Sequence, residues 1–276
     1  MGIMMAILSS IAWGSADFGG GTVSRRISPY LSVLYSQGVS LVGIVVITAV
    51  AGGFTWSSRL FWSIGAGIIG PLALVGYYRA LALGPMGVVG PISATSGLVP
   101  VVVGIALGDR VLPGQFVGIA LAIVGVGLIS THKSEGVHRV SFEAVALALG
   151  SAIGFGLVFV GLNRAAPAGI LPSLAVQRSV NVVIIAALVV ARRTSARVSR
   201  GDLGRLAVVG FLDVSANGLF SYASHFGSLA ILGALGSTYP ISTTIAARYF
   251  HSERLRPVQI LGAAVTLIGI VLATGL

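Results

Sequence analysis

Two stretches of this 276-residue chain share one pattern: GDRVLPGQFVGIALAIVGVGLIS at residues 108–130 and SERLRPVQILGAAVTLIGIVLAT at residues 252–274. They align without gaps, and their polar, proline and glycine residues coincide. The coinciding pairs are Asp109 with Glu253, Arg110 with Arg254, Pro113 with Pro257, Gln115 with Gln259, and Gly118 with Gly262. Apolar character alone does not align polar and proline residues at fixed spacing. The pattern therefore predicts an internal duplication.

The similarity continues outside these stretches. Gly65 aligns with Gly210, Tyr77 with Tyr222, and the motif Pro-x-Leu-x-Val at residue 29 recurs at residue 172. A polar link at residues 131–139 separates the halves. The sequence predicts one repeat over residues 1–133 and a second over 139–276, together forming one membrane domain.

The composition is that of a membrane protein. Mean hydropathy is +1.00 and 9% of residues are charged, against about 25% in soluble domains. The apolar runs predict an all-α integral membrane protein of about ten transmembrane spans. Their predicted bounds are residues 2–21, 29–50, 60–83, 88–107, 113–130, 142–162, 172–190, 206–229, 232–250 and 258–276. Since five spans per repeat is an odd number, the two repeats are predicted to be inverted, with a binding site at their interface near the membrane midplane.

Charge is distributed unevenly between the two sides of the membrane. Thirteen of the 17 Lys and Arg residues follow odd-numbered spans, on the side that we call the basic face. They are Arg25, Arg26, Arg79, Lys133, Arg139, Arg192, Arg193, Arg197, Arg200, Arg205, Arg248, Arg254 and Arg256. The positive-inside rule places this face in the cytoplasm and both termini outside. Because these residues lie between spans, the net charge of +10 does not indicate nucleic-acid binding.

Several of these motifs together resemble the EamA-type transporters of the drug/metabolite transporter superfamily. They are the two five-span copies, AWGSADF at residues 12–18, YYRALALGP at 77–85, and the Gly/Ser-Asp/Glu-Arg-Val/Leu-x-Pro ending of each fourth span. The resemblance implies a ten-helix carrier of small metabolites with a central cavity between spans 1–4 and 6–9. It also implies spans 5 and 10 at the periphery and both termini inside.

The first repeat departs from the family pattern at two positions. The second repeat has the family proline, Pro240, 13 positions before its acid Glu253, whereas the first repeat has Ser96 there and Pro100 one turn later. We therefore expect the first repeat's fourth span to bend differently. Asp109 also stands where the family usually has Glu.

A polar stripe marks the eighth span. Within FLDVSANGLFSYASHF, residues 211–226, the residues Asp213, Asn217, Ser221 and His225 are spaced four apart and share one helical face. An ionisable residue at membrane depth costs about 2.5–3.5 kcal/mol on insertion scales and usually faces a cavity. The stripe therefore predicts a polar cavity, with Asp213 and Asn217 near its centre. His225 is predicted either to relay protons or to lie at the solvated helix end.

A second carboxylate lies in the first span. Trp13 and Asp17 are four apart, and counting about 1.5 Å per residue puts Asp17 at a depth similar to Asp213. If both face one cavity, desolvation and mutual repulsion favour a proton on one of them. We therefore predict that Asp17 or Asp213 couples transport to protons; the alternative is that each only fixes helix packing.

Other polar and aromatic residues within the spans are candidate cavity residues. Gln177 and Asn181 flank Arg178, which either binds a substrate carboxylate or phosphate or extends to the membrane surface. Aromatic candidates for the cavity wall are Trp13, Tyr77, Tyr222 and Tyr239, although aromatic residues within spans often only pack. Arg79 is predicted to be an interface anchor. The pairs Asp109-Arg110 and Glu253-Arg254 are interpreted as structural helix-end pairs; the alternative is that they act in gating.

These features favour a secondary active transporter of small polar or amphipathic metabolites, such as amino acids. We expect an exporter in the cell membrane, working by alternating access, with proton coupling through Asp17, Asp213 or His225. The alternatives are an uncoupled facilitator or exchanger and a non-transporting scaffold or lipid-binding protein. With no Cys, no phosphate-binding Gly-Lys pattern and no metal-ligand cluster, no enzyme activity, cofactor or metal is predicted. Expected partners are the substrate, the lipid bilayer and a second copy bound through spans 5 and 10.

Overall fold

The structure is a computed structural model that describes residues 2–51, 53–106, 112–130, 141–195, 197–223 and 238–273. Within these ranges the chain is helical, without strands. The helices are α1 (Gly2–Ser24), α2 (Pro29–Val50), α3 (Leu60–Leu83), α4 (Met86–Ala94), α5 (Leu98–Ala106), α6 (Pro113–Ser130), α7 (Phe142–Ala165), α8 (Ile170–Ala191), α9 (Arg200–Ala223), α10 (Tyr239–His251) and α11 (Pro257–Ala273). Short 3₁₀ turns occupy Thr95–Gly97 and Ala166–Ala168.

The helices confirm an all-α membrane architecture. Among the described residues, six apolar segments are long enough to cross a membrane: Pro29–Val50, Leu60–Leu83, Met86–Gly104, Phe142–Ala168, Ile170–Ala191 and Arg200–Phe220. Many large aliphatic side chains point outward; Val42, Ile123 and Val183 are each 65% exposed. In water such a surface would aggregate, but it is suited to lipid.

Helix bounds agree with the predicted spans where proline marks the start. The second and fifth spans begin at Pro29 and Pro113, a position where proline loses no helical hydrogen bond. In contrast, α9 begins at Arg200, six residues earlier than predicted. The hydroxyl of Ser199 accepts a hydrogen bond from the Asp202 backbone N–H (3.1 Å) and donates one to the Asp202 carboxylate (2.9 Å). This reciprocal cap extends the helix into the basic loop.

The fourth span is broken in the middle, as the displaced proline predicted. Helix α4 ends at Ala94, a 3₁₀ turn follows at Thr95–Gly97, and α5 continues from Leu98. Pro100 has no N–H to bond the Ser96 carbonyl, and its ring crowds that carbonyl. The regular helix is therefore interrupted one turn before the proline.

Matched helices of the two halves pack antiparallel. In the α6–α11 contact, a Cβ added to Gly118 would lie 2.3 Å from the Ala273 nitrogen, and one added to Gly125 would lie 2.3 Å from the Thr266 hydroxyl. Residue numbers rise along α6 as they fall along α11, so the two helices run in opposite directions. Glycine thus allows close approach, and an inverted repeat requires this antiparallel order.

The other main contacts also join helices of one half to helices of the other half. Helix α3 packs on α7 and α8, and the matching helix α9 packs on α1 and α2. Helix α4 packs on α10, which belongs to the matching span of the second half. Helices α6 and α11 pack mainly on each other, which agrees with their expected peripheral position.

The prediction that Glu253 pairs with its neighbour Arg254 is wrong. Glu253 forms an ion pair with Arg25, with 2.9 Å between Oε1 and Nη2. These two residues are far apart in sequence, and no local pattern indicates that they meet. The corresponding pair Asp109-Arg110 lies outside the described residues. Arg79, predicted as an interface anchor, binds Glu143 at 2.6 Å, and both side chains are 54% exposed.

Candidate functional site

A buried ion pair lies in the interior between α8 and α9. Nη2 of Arg178 is 2.9 Å from Oδ2 of Asp213, and the two side chains are only 12% and 18% exposed. Arg178 therefore lies in the interior and does not extend to the membrane surface. Its guanidinium reaches the Asp213 carboxylate, so the two charges neutralise each other.

Helix α2 completes the group around this ion pair. Ser40 donates a hydrogen bond to Asp213 Oδ2 (3.1 Å), and Gln37 Nε2 lies 3.5 Å from the same oxygen. The Gln37 carbonyl oxygen accepts hydrogen bonds from Arg178 and from Asn181 Nδ2, the latter at 3.2 Å. We call Gln37, Ser40, Arg178, Asn181 and Asp213 the polar cluster. It joins the two halves through α2, α8 and α9.

The sequence analysis did not identify the α2 members of the polar cluster. Gln37 and Gln115 are the amide side chains of the first 140 residues. Only Gln37 lies deep within a span. Ser36 directly precedes it, and Ser40 lies about one turn further along α2. A buried amide in an apolar span, next to hydroxyl groups on one face, was the available signal.

The predicted stripe on α9 is partly described. The Asn217 amide donates to the Asp213 backbone carbonyl (2.7 Å) and is 3.4 Å from Asp213 Oδ1. The two residues therefore share a face, as their spacing predicted. Ser221 lies in α9, but its side chain is outside the described set, and so is all of His225.

Two amide oxygens of α8 face the interior without a hydrogen-bond donor among the described residues. They belong to Gln177 and Asn181, which are 3% and 2% exposed. Helix α3 approaches them at Gly70, where an added Cβ would lie 2.9 Å from Asn181 Oδ1. Buried acceptors are usually satisfied by protein, water or ligand. Both oxygens therefore have an unused capacity to accept a hydrogen bond among the described residues.

Asp17 lies in the same interior but in a different environment. Its Oδ2 accepts a hydrogen bond from the Tyr77 hydroxyl at 3.1 Å, and Tyr77 is 1% exposed. Asp17 is partly exposed. None of the ion pairs formed by described residues includes Asp17.

The aromatic candidates differ in placement. Tyr77 donates a hydrogen bond to Asp17, and Tyr239 packs against the buried core that contains Tyr77. Trp13 packs on Phe220 with ring centroids 5.6 Å apart. Tyr222, the repeat counterpart of Tyr77, is 51% exposed. The repeat therefore conserves a tyrosine at these two positions without giving it the same environment.

The sequence analysis did not identify Tyr78 as a residue of the site. Tyr78 is 3% exposed, and a Cβ added to Gly20 would lie 2.2 Å from its ring. Helix α1 thus requires glycine where it crosses Tyr78, three residues after Asp17. The close contact fixes α1 against α3 and so fixes the Asp17–Tyr77 hydrogen bond.

Comparison with known proteins agrees with this architecture. A profile of the EamA-like transporter family matches residues 1–131 and 143–275. No curated protein matches the chain. A solved crystal structure of a protein is similar over 99% of this chain and 96% of the other, with a TM-score of 0.69 and 13% identity, which supports the fold alone. The chain belongs to the EamA-like transporter family, within the drug/metabolite transporter superfamily, and is a multi-pass membrane protein.

Proposed function

We propose that this protein is a proton-coupled secondary carrier that exports small polar or amphipathic metabolites across the cell membrane by alternating access. The observation that carries the proposal is Asp17, a partly exposed carboxylate inside the helix bundle with no ion-pair partner among the described residues. A structural carboxylate at membrane depth is normally paired. An unpaired one is suited to bind a proton or a substrate cation.

Asp17 and Asp213 have different roles in this proposal. Asp213 is neutralised by Arg178 and receives further donors from Ser40 and Asn217. Asp17 has the Tyr77 hydroxyl as its donor. We therefore assign coupling to Asp17 and assign Asp213 to the positioning of Arg178. The sequence analysis had left the choice between the two carboxylates open.

The chemistry of the interior suits a zwitterion such as an amino acid. Arg178 offers a guanidinium to a carboxylate, and Asp17 offers a carboxylate to an ammonium group. The free amide oxygens of Gln177 and Asn181 accept N–H donors. In this mechanism the substrate carboxylate binds Arg178 beside Asp213, which keeps its bonds to Arg178, Ser40 and Asn217. The substrate ammonium takes the place of the proton on Asp17, so Asp17 has a cation partner when its proton leaves.

Alternating access is supported by the antiparallel packing of matched helices. The α6–α11 contact is made between counterparts from the two halves, and the α4–α10 contact is made between their fourth spans. Two inverted halves placed around a central site give two related conformations, one open to each side of the membrane. The polar cluster spans both halves, so rocking of the halves rearranges it.

The test is transport into proteoliposomes with a panel of amino acids and related amines, with and without an imposed pH gradient. We expect uphill accumulation of at least one zwitterion that depends on the gradient and is lost in D17N. E143Q, which removes an exposed carboxylate, is the matched control. Downhill flux with no response to any ion gradient would indicate a facilitator or exchanger. No flux of any compound would favour a scaffold or lipid-binding protein.

Orientation and assembly are separate parts of the proposal. The basic face is assigned to the cytoplasm by charge, whereas the family resemblance implies cytoplasmic termini; a C-terminal reporter active only in the cytoplasm decides between them.

A homodimer through α6 and α11 would use their outer faces, where Phe116 is 59% and Ile260 is 55% exposed. Cross-linking in native membranes tests this contact.

A further inference from the structure

Among the described residues, three ion pairs connect the two halves, and all three lie at the basic face. Arg25 binds Glu253 at 2.9 Å, Arg26 is 3.9 Å from Asp202, and Arg79 binds Glu143 at 2.6 Å. No other ion pair between described residues of the two halves is present. In the part of the chain that the structure describes, ion pairs therefore hold the halves together at the basic face.

Glu253 differs from the other two acids because both of its oxygens are used and it is 6% exposed. Oε1 accepts from Arg25 at the end of α1, and Oε2 accepts from the Met86 backbone N–H at the start of α4, at 2.8 Å. One carboxylate from the second half thus holds two helices of the first half. Charge-assisted hydrogen bonds of a buried acid are stronger than those of an exposed pair.

Arg25 extends the same group to two more helix ends. Its Nη1 lies 2.9 Å from Nδ1 of His251 at the end of α10, and Nη2 lies 3.5 Å from the Leu81 carbonyl near the end of α3. His251 Nε2 is 3.2 Å from the Thr22 hydroxyl of α1. An Arg N–H must donate to an unprotonated Nδ1, so the proton of the ring resides on Nε2. Helices α1, α3, α4 and α10 therefore converge on this group.

We propose that Glu253 is the gate residue of the basic face: its bonds to Arg25 and Met86 hold this face closed, and the face opens when they break. This inference rests on the proposed carrier function, because only a transporter needs the face to open. The pairs made by Asp202 and Glu143 are weaker candidates. Their partners Arg26 and Arg79 are 51% and 54% exposed, so water screens both pairs.

Accessibility of a single cysteine tests the gate without any substrate. The chain has no Cys, so S36C introduces one thiol on α2, about 10 Å along the helix from Pro29 at the basic face. It is labelled in everted and right-side-out vesicles with a membrane-impermeant maleimide. We expect E253Q to increase the labelling rate from the basic face about tenfold over the S36C parent. E143Q at the same face should change it less than twofold.

A second variant separates opening from misfolding. R25Q removes the same ion pair but keeps the Glu253–Met86 bond, so it should increase labelling in the same direction, by less than E253Q. Equal labelling in E253Q and E143Q, or increased labelling only from the opposite face, would overturn the proposal. It would also be overturned if neither E253Q nor R25Q reached the membrane, because the group would then be required for folding.

The two proposals fail in distinguishable ways. If Asp17 is not the coupling group, D17N transports normally while E253Q still increases labelling at the basic face. If Glu253 is not the gate, labelling in E253Q matches that in E143Q while D17N still loses gradient-driven uptake. A carrier with the opposite membrane orientation gives the same labelling result with the vesicle types exchanged.

Discussion

The surroundings of Asp17 and Asp213 differ although both carboxylates lie in one interior, one from each repeat. Asp213 is held by an arginine, a serine and an asparagine from three helices. Asp17 is held by the hydroxyl of Tyr77. A carboxylate that is saturated with donors has little to gain from a ligand, whereas a weakly held one can exchange its partner. The comparison therefore separates a structural charge from a functional one.

The largest effect should come from removing Arg178, the charged partner of Asp213. R178Q leaves the Asp213 charge buried without its partner, and breaking such a pair costs about 3 kcal/mol or more. We expect a clear fall in thermal stability in detergent together with loss of transport. The double variant R178Q/D213N should recover much of the stability but not the transport. Wild-type stability in R178Q would show that Asp213 is not dependent on Arg178.

D17N should have the opposite profile. The amide oxygen still accepts from Tyr77, so the free energy of unfolding should change by less than about 1 kcal/mol. Gradient-driven uptake should fall at least tenfold. Exchange without a gradient should persist but need a higher substrate concentration, because the substrate ammonium loses its carboxylate partner. Thermal melting and proteoliposome uptake measure the two effects. A D17N protein as unstable as R178Q would assign Asp17 to packing.

Y77F removes the donor to Asp17 and should have an intermediate effect. The lost hydrogen bond is worth about 1 kcal/mol, and the Asp17 side chain becomes less well positioned. We expect gradient-driven uptake to fall a few-fold with little change in protein level. Y222F changes the exposed counterpart in the second repeat and should have a smaller effect. Equal effects of the two substitutions would mean that the repeat positions are functionally equivalent.

The smallest effect is expected from S40A. Asp213 keeps Arg178 and Asn217 when the Ser40 hydroxyl is removed, so the loss of stability should be about 1 kcal/mol or less. Transport should remain above half of the wild-type rate in the uptake assay. A loss as large as that of R178Q would show that Ser40 contributes more to the cluster than its single hydrogen bond indicates.

Much of the fold was predictable because it depends on local signals. Proline at the first helical position defines the starts of α2 and α6, and Gly84-Pro85 separates α3 from α4. The displaced Pro100 predicted the break in the fourth span. The early start of α9 was missed although Ser199 and Asp202 form a readable capping pattern.

The site was less predictable because its bonds connect residues that are distant in sequence. The spacing on α9 correctly placed Asp213 and Asn217 on one face. Nothing local indicates that Gln37 meets Arg178, or that Glu253 meets Arg25 rather than its neighbour Arg254. Such pairings are decided by how helices from the two repeats pack, which a single sequence does not specify.

The antiparallel α6–α11 contact also shows which of its positions can differ between the two halves. Gly125 faces Thr266, and Gly269 faces Ala122. These are the same contact made twice, because residue 266 corresponds to residue 122 and residue 269 to residue 125. Glycine stands at this position in both halves, while the facing residue is threonine in one contact and alanine in the other. A Cβ on either glycine would collide with the facing backbone, so the contact tolerates a change at the facing residue but not at the glycine.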